Sequence, residues 1–276
     1  MTAQPNDIGR AARPVTQFFV LVFLLSVPFL VVGQIAGSLP GIPNNLPASA
    51  LMFVCPGAAA LILLRVQQGP RSVRRLLRRA LRVAPARWIV AAVAVFPLLA
   101  LGSYAVLWLA GAAEPTAGGG WIAVPVYFVV FAVSAFGEEL GWTGYATVRL
   151  RRQHGVLATG TSIGIVWAVW HLVPLLQAGR APGWIAAWAI ATVATRIVIV
   201  GLYHLSGRYQ LTAILAHAMS NVVASVVPGY PATATMVAVA GGTALGALAV
   251  VTVRPGARRA LPTARRRTTA FYRGIR

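Results

Sequence analysis

About eight long apolar stretches constrain the fold of this chain more than any other feature of its sequence. A transmembrane helix needs roughly 20 consecutive, mostly apolar residues, and each stretch comes close to that length. Charged residues make up only 10% of the chain, whereas about a quarter is usual in soluble domains. The sequence therefore predicts an all-α fold, a polytopic membrane helix bundle of about eight transmembrane helices. The predicted helices are 17–36, 47–64, 88–111, 121–143, 156–176, 183–205, 211–227 and 233–253.

The distribution of arginine predicts how the bundle is oriented. All 24 basic residues are arginine, and the formal net charge is +20. Such a charge would also suit a nucleic-acid-binding protein, but these arginines flank the apolar stretches in alternate loops, which is the positive-inside pattern. We therefore expect a multi-pass protein of the plasma membrane with both termini in the cytoplasm and no nucleic-acid partner. The predicted organisation is a cytoplasmic tail at 1–16, a transmembrane bundle at 17–253 and a basic cytoplasmic tail at 254–276.

One basic segment, 71–82, has the sequence RSVRRLLRRALR and predicts an amphipathic helix outside the spans. Its apolar side chains lie roughly opposite its arginines on a helix, which suits a helix on a surface of anionic lipid. A role in anchoring the topology is the simpler interpretation, and specific recognition of lipid or substrate is the alternative. The apolar side chains are Val73, Leu76, Leu77 and Leu81.

Acidic residues are so scarce that their positions are informative. The chain has four, and two of them, Glu138 and Glu139, are adjacent within the fourth apolar stretch. A charge inside the bilayer is costly and marks a candidate functional site, although the pair would also suit a helix end at the membrane interface. Neighbours on a helix point about 100° apart. We therefore expect one glutamate to face the site and the other to pair with a cation or hydrogen-bond a neighbouring helix.

Two further apolar stretches carry polar residues at helical spacing. Trp167 and His171 are four residues apart, and so are His217 and Asn221. Residues four apart share one face of a helix, so three polar faces can converge inside the bundle. A carboxylate, two imidazoles and a carboxamide suit the activation of water against a carbonyl group. The carboxylate takes the proton, a histidine or a metal ion polarises, and Asn221 donates to the oxyanion.

The runs EELGWTGY, WAVWH and HAMSN, in this order, resemble the CPBP family of intramembrane proteases. That family contains the type II CAAX prenyl endopeptidases and the bacterial proteins often called Abi. The resemblance covers about 131–227, within a core at about 121–228. It implies that Glu138 activates water together with His171, that Glu139 takes the second glutamate position, and that His217 and Asn221 hold the oxyanion.

The chain departs from the family pattern at one position. The family's arginine, four residues after the second glutamate, falls at Thr143 here. Arg196, which lies unusually inside the sixth apolar stretch, is a possible replacement, and Trp167 has a supporting role. Family members have been described as zinc-type and as glutamate-type enzymes. If Zn²⁺ is bound, its predicted ligands are His171, His217 and Glu138.

The sequence thus predicts an intramembrane endopeptidase acting on a membrane-associated protein or peptide, with anionic lipid at the basic loops and a cavity that opens to the cytoplasm. The alternatives are an inactive family member with an immunity or scaffold role, and a proton-coupled transporter. Three straight helices would not bring the polar groups to one depth. We therefore predict a tilt, a break near 141–144 or a re-entrant start to the fifth helix.

Overall fold

The computed structural model describes residues 5–38, 46–112 and 122–253, with side chains from residue 13 onward. The predicted tail 254–276 therefore lies outside the described residues, and the first helix already begins within the segment predicted as an N-terminal tail. A 3₁₀ helix, Ala48–Phe53, precedes α2. Within the described ranges the α-helices are α1 Pro5–Ala36, α2 Val54–Gln68, α3 Pro70–Ala80, α4 Ala86–Leu109, α5 Val124–Gly141, α6 Val148–Leu150, α7 Val156–Gln177, α8 Pro182–Leu205, α9 Gln210–Val226 and α10 Thr233–Thr252.

Seven helical segments in the described part of the chain are long and apolar enough to cross a membrane, and α9 is a shorter apolar helix. Large aliphatic side chains are exposed along the outer faces of α1, α4, α5 and α10. Exposed apolar surface of this extent suits contact with lipid, and helices satisfy their own backbone hydrogen bonds there. The prediction of an all-α polytopic membrane bundle is confirmed.

The fourth predicted span contains the irregularity that the sequence led us to expect. Helix α5 passes into a π-helical turn, Trp142–Thr147, before the short α6. Thr147 Oγ1 donates to the Trp142 carbonyl oxygen at 2.8 Å within this turn. A π-helical turn changes the direction in which successive side chains point, and such turns are frequent at functional sites. The structure thus has an irregularity at the predicted place, near 141–144, and it is a π-helical turn within a continuous span and not a break.

Close backbone contacts bring the site-bearing helices together. A Cβ atom added to Gly57 of α2 would lie 2.6 Å from the Gly137 carbonyl oxygen of α5. A Cβ atom added to Gly164 of α7 would lie 2.8 Å from the Cα atom of Val193 in α8. Small residues at such crossings let membrane helices approach closely. As a result α8, which packs against α7, α9 and α10, delivers its polar residues to the centre of the bundle.

The predicted amphipathic helix is α3, which starts at Pro70 after Gly69 (φ 77°). Ser72 Oγ fixes this start by donating to the Leu64 and Gly69 carbonyl oxygens, at 2.9 and 2.6 Å. Leu76 is buried in the core, whereas Leu77 just after it is exposed. The helix itself is confirmed, and its contact with anionic lipid stays a prediction.

Candidate active site

Glu139 has a side chain that is fully enclosed by the protein. Its Oε1 atom lies 2.8 Å from Nη1 of Arg196, which is equally buried. Thr143 donates its hydroxyl proton to Oε2 of the same carboxylate. A buried ion must be paired and hydrogen-bonded to be tolerated. Glu139 therefore meets the expectation that one glutamate pairs with a cation, and Arg196 supplies the charge that the family pattern places at position 143.

His217 of α9 is held by the same carboxylate. Its Nδ1 atom lies 2.9 Å from Oε1 of Glu139, and its ring is 1% exposed. A carboxylate paired with Arg196 accepts hydrogen bonds, so Nδ1 is the donor in this contact. The other ring nitrogen, Nε2, is thereby directed towards Glu138, whose Oε1 atom is 3.9 Å away. Glu139 thus fixes the orientation of His217 as carboxylates do for many functional histidines.

Glu138 has different surroundings from its neighbour. Its Oε2 atom accepts hydrogen bonds from two indole nitrogens, Trp167 Nε1 at 2.9 Å and Trp142 Nε1 at 3.2 Å. Its Oε1 atom faces His217 across a gap too long for a direct hydrogen bond. Glu138 lines a cavity, which Glu139 does not. The expectation that one glutamate faces the site therefore applies to Glu138.

Trp167 is the residue that joins the site together. Besides its bond to Glu138, its ring lies 4.1 Å from the guanidinium carbon of Arg196, close enough for a cation–π contact. Its ring also meets the edges or faces of His217 and His171, with centroids 5.0 and 5.6 Å apart. The supporting role predicted for Trp167 is therefore one of positioning four other side chains.

His171 stands one turn further along α7. Its Nδ1 atom lies 2.9 Å from the Trp167 carbonyl oxygen, and because a carbonyl only accepts, Nδ1 carries the proton. Nε2 is then left with a lone pair. The ring is packed between Trp170 and Trp188, with centroids 4.6 and 5.4 Å away, and it lines the same cavity as Glu138.

A cavity of about 600 Å³ contains these groups. Glu138, His171, His217 and Asn221 are among its polar lining residues, so the structure brings together four of the five residues predicted as catalytic. The remaining one, Glu139, does not line the cavity but accepts a hydrogen bond from His217. Aromatic and aliphatic side chains form most of the walls, among them Phe53, Phe96, Phe131, Trp170 and Trp188.

The cavity extends to one particular end of the bundle. It reaches Leu46, Arg180 and Tyr230, which lie in the α1–α2, α7–α8 and α9–α10 connections. Burial raises the pKa of Tyr230 to about 12, so Arg180 supplies the charge among the described residues that line this end of the cavity. The arginine-rich connections lie at the opposite ends of these helices. Two expectations from the sequence, cytoplasmic basic loops and a cavity that opens to the cytoplasm, therefore exclude each other.

Sequence reasoning missed two residues of the site. Trp142, the second indole donor to Glu138, stands four residues after it in the EELGWTGY run, so its spacing was a usable signal. Gln210 donates from Nε2 to the Glu139 carbonyl oxygen at 2.9 Å. This bond supports the backbone where α5 gives way to the π-helical turn. Nothing in the sequence around Gln210 indicates it, because its partner lies on another helix.

The residues do not form a preassembled metal site. Among the described residues, no three His, Cys, Asp or Glu side chains lie close enough together to hold a metal ion. The Nδ1 atoms of His171 and His217 are hydrogen-bonded to protein, whereas each Nε2 atom stays available, so a zinc ion held by His171, His217 and Glu138 stays a prediction. We therefore derive no chemical step through zinc.

Comparison with known proteins adds independent support. Residues 120–223 match the family model described as type II CAAX prenyl endopeptidase, Rce1-like. A curated protein of Methanococcus maripaludis, CAAX prenyl protease 2, is 40% identical over 53 residues, which is 19% of this chain and 19% of that protein. The alignment thus spans about a fifth of the length of that relative. Every predicted site residue lies within 120–223, and the resemblance inferred from the motifs is confirmed for that segment.

Proposed function

We propose, from the match of residues 120–223 to the Rce1-like CAAX prenyl endopeptidase family, that this chain hydrolyses a peptide bond of a membrane-associated protein or peptide. The observation that carries the proposal is the placement of Glu138. Two indole N–H groups hold one of its oxygens, and the other oxygen faces His217 within a large apolar cavity. This arrangement suits a general base that acts on one bound water molecule.

The gap between Glu138 and His217 suits a water molecule as the nucleophile. At 3.9 Å, Oε1 of Glu138 and Nε2 of His217 are separated by more than a direct hydrogen bond, and one water can contact both. Glu138 takes a proton from this water as it attacks the carbonyl carbon. The proton is then available for the leaving amine, with His171 Nε2 as a second acceptor beside the same cavity.

The oxyanion of the tetrahedral intermediate needs donors on the cavity wall. Asn221 lines the cavity one helical turn after His217 and offers a carboxamide N–H. Nε2 of His217 faces the same part of the cavity and is a second donor whenever it carries a proton.

Purified full-length protein in lipid nanodiscs, incubated with a library of membrane peptides, provides the test. We expect mass spectrometry to detect cleavage by the wild type and none by Glu138→Gln. A chelator arm shows whether cleavage depends on a metal ion. Cleavage that persists in Glu138→Gln would remove Glu138 from the mechanism, and a wild type that cleaves nothing would favour the inactive family member.

We further propose that the cavity faces away from the cytoplasm, because many arginines outweigh the single Arg180 in setting orientation. In a Cys55→Ala background, single cysteines are placed at the exposed Ala181 of the α7–α8 connection and at the exposed Gln153 of the α6–α7 connection. A membrane-impermeant maleimide should label Ala181→Cys on intact cells, and Gln153→Cys only after permeabilisation. The reverse pattern would place the cavity on the cytoplasmic side, whatever the enzymatic activity.

A further inference from the structure

A second cavity, of about 490 Å³, lies at the basic end of the bundle. It is enclosed by α1, α2, α3 and the segment around α6, and its walls are mainly polar. Four arginines line it, two from α3 and two from the end of the fourth span. They are Arg75, Arg79, Arg149 and Arg152.

In the part of the chain that the structure describes, no carboxylate forms an ion pair with the arginines of this cavity. Among the described side chains, Glu138 and Glu139 are the carboxylates that form ion pairs, and both belong to the other cavity. Within the described residues, the backbone groups of Arg79 and Arg152 form hydrogen bonds, but the guanidinium groups of Arg75, Arg79 and Arg152 form none. Like charges around one cavity repel one another, so a bound anion would stabilise the arrangement.

The fourth arginine is already held in place. Arg149 donates from Nη1 to the Tyr145 carbonyl oxygen at 3.1 Å, and its guanidinium carbon lies 3.4 Å from the centre of the Tyr145 ring. The Tyr145 hydroxyl is in turn 3.0 Å from Oε1 of Gln67, another residue of the cavity wall. A guanidinium fixed in this way loses little freedom when it binds a ligand.

We propose that this cavity binds the phosphate group of an anionic lipid headgroup. Guanidinium groups match phosphate oxygens in two-pronged hydrogen bonds, and several arginines around one cavity provide more than one such pair. The apolar residues Leu77, Leu81 and Val83, on and just after α3, are exposed and do not line the cavity. Exposed apolar side chains on an arginine-rich helix place that helix at the membrane surface, at the depth of lipid phosphates.

Binding of a lipid headgroup in this cavity would also stabilise the region that positions the two glutamates. Leu76, on the same helix as Arg75 and Arg79, packs against Gly144 of the π-helical turn. Gln210, which supports the Glu139 backbone, borders Gly144 from the other side. A headgroup that joins α3 to α6 therefore holds Leu76 in place against the turn that follows Glu139.

Lipid retention, measured by native mass spectrometry on full-length protein, tests the proposal. The protein is equilibrated in micelles with equal amounts of phosphatidylglycerol and phosphatidylcholine. We expect wild-type protein to retain phosphatidylglycerol preferentially, and Arg75→Gln/Arg79→Gln to lose that preference by about tenfold. The matched control, Arg74→Gln/Arg78→Gln, removes the same charge from the same helix outside the cavity and should keep it.

The alternatives give different results in the same experiment. Equal losses in the two double variants would mean that surface charge alone attracts lipid, which would overturn the site. A wild type that shows no preference for phosphatidylglycerol, but gains thermal stability from millimolar inorganic phosphate only when Arg75 and Arg79 are present, would overturn the lipid assignment in favour of a soluble anion. If the double variant does not fold, Arg152→Gln probes the opposite wall, with Arg74→Gln as its control.

Discussion

The two cavities at opposite ends of this bundle differ in whether the charged side chains around them are paired within the protein. In the apolar cavity, the Glu138 carboxylate faces the open space. Its neighbour Glu139 is enclosed by protein, and Arg196 neutralises the charge of Glu139. In the polar cavity, four arginines surround the space, and within the described residues no carboxylate pairs with Arg75, Arg79 or Arg152. In the first arrangement the enclosed carboxylate already has its cation, although Nε and Nη2 of Arg196 form no hydrogen bond within the described residues, whereas the second calls for an anion.

The difference follows from where the charges lie. Charges deep in a membrane protein lose their water and must find partners within the protein. Arginines at the interface keep contact with water and headgroups, so an unpaired charge there costs little until a ligand arrives. We therefore expect changes in the apolar cavity to affect catalysis or folding, and changes in the polar cavity to affect lipid binding.

The largest expected effect is on the rate of cleavage, and it comes from a change at Glu138, the one of the two adjacent glutamates that faces the cavity. Glu138→Gln should lower the rate of peptide cleavage by about 10³-fold, since it removes the proposed general base. Its unfolding temperature should stay close to that of the wild type, because glutamine has nearly the same shape and keeps an oxygen that can accept from the two indole N–H groups. Arg74→Gln, outside both cavities, is the control for the cleavage assay. A rate loss that comes with an equal loss of folded protein would contradict the assigned role.

The next effect is on stability. Arg196→Met should lower the free energy of unfolding by about 3–5 kcal/mol, because it leaves the Glu139 carboxylate buried without its cation. Adding Glu139→Gln to that variant should restore much of the loss. Titration of unfolding with SDS measures the effect, with Arg74→Met as the surface control. Two single losses that simply add in the double variant would show that the pair is not coupled.

A smaller effect should come from Trp167→Phe, which keeps an aromatic ring but removes the N–H donor to Glu138. Hydrogen bonds to charged groups contribute about 1.5–3 kcal/mol, so we expect cleavage to slow by about tenfold to a hundredfold. Measurement of kcat and KM separately locates the loss. A pure rise in KM would assign Trp167 to substrate binding instead of the positioning of Glu138.

The smallest effect concerns the region between the two cavities. Gln210→Ala removes one neutral hydrogen bond to the Glu139 backbone and should cost about 1 kcal/mol of stability. Thermal unfolding in nanodiscs can resolve this difference. If the loss becomes larger in phosphatidylglycerol than in phosphatidylcholine, the two ends of the bundle are coupled through the π-helical turn.

Much of the site was predictable because its signals are local. Glu138, His171, His217 and Asn221 were identified from charge scarcity and four-residue spacing, and they line one cavity. The irregularity near 141–144 followed from a comparison of helix depths. Trp142 was equally accessible to such reasoning but was overlooked. The end of the bundle to which the cavity extends could not be read in this way, since it depends on how several helices pack around the site.

The sequence by itself determined the membrane class, the approximate helix count and the identity of the polar residues, because hydropathy and helical period are properties of neighbouring residues. Only the tertiary structure decided which glutamate faces the cavity and which one pairs with Arg196, 57 residues away along the chain. Adjacent residues differ by about 100° in direction on a helix, and the helices packed around them determine what each side chain meets. The same packing places one cavity at the basic end of the bundle and the other at the opposite end.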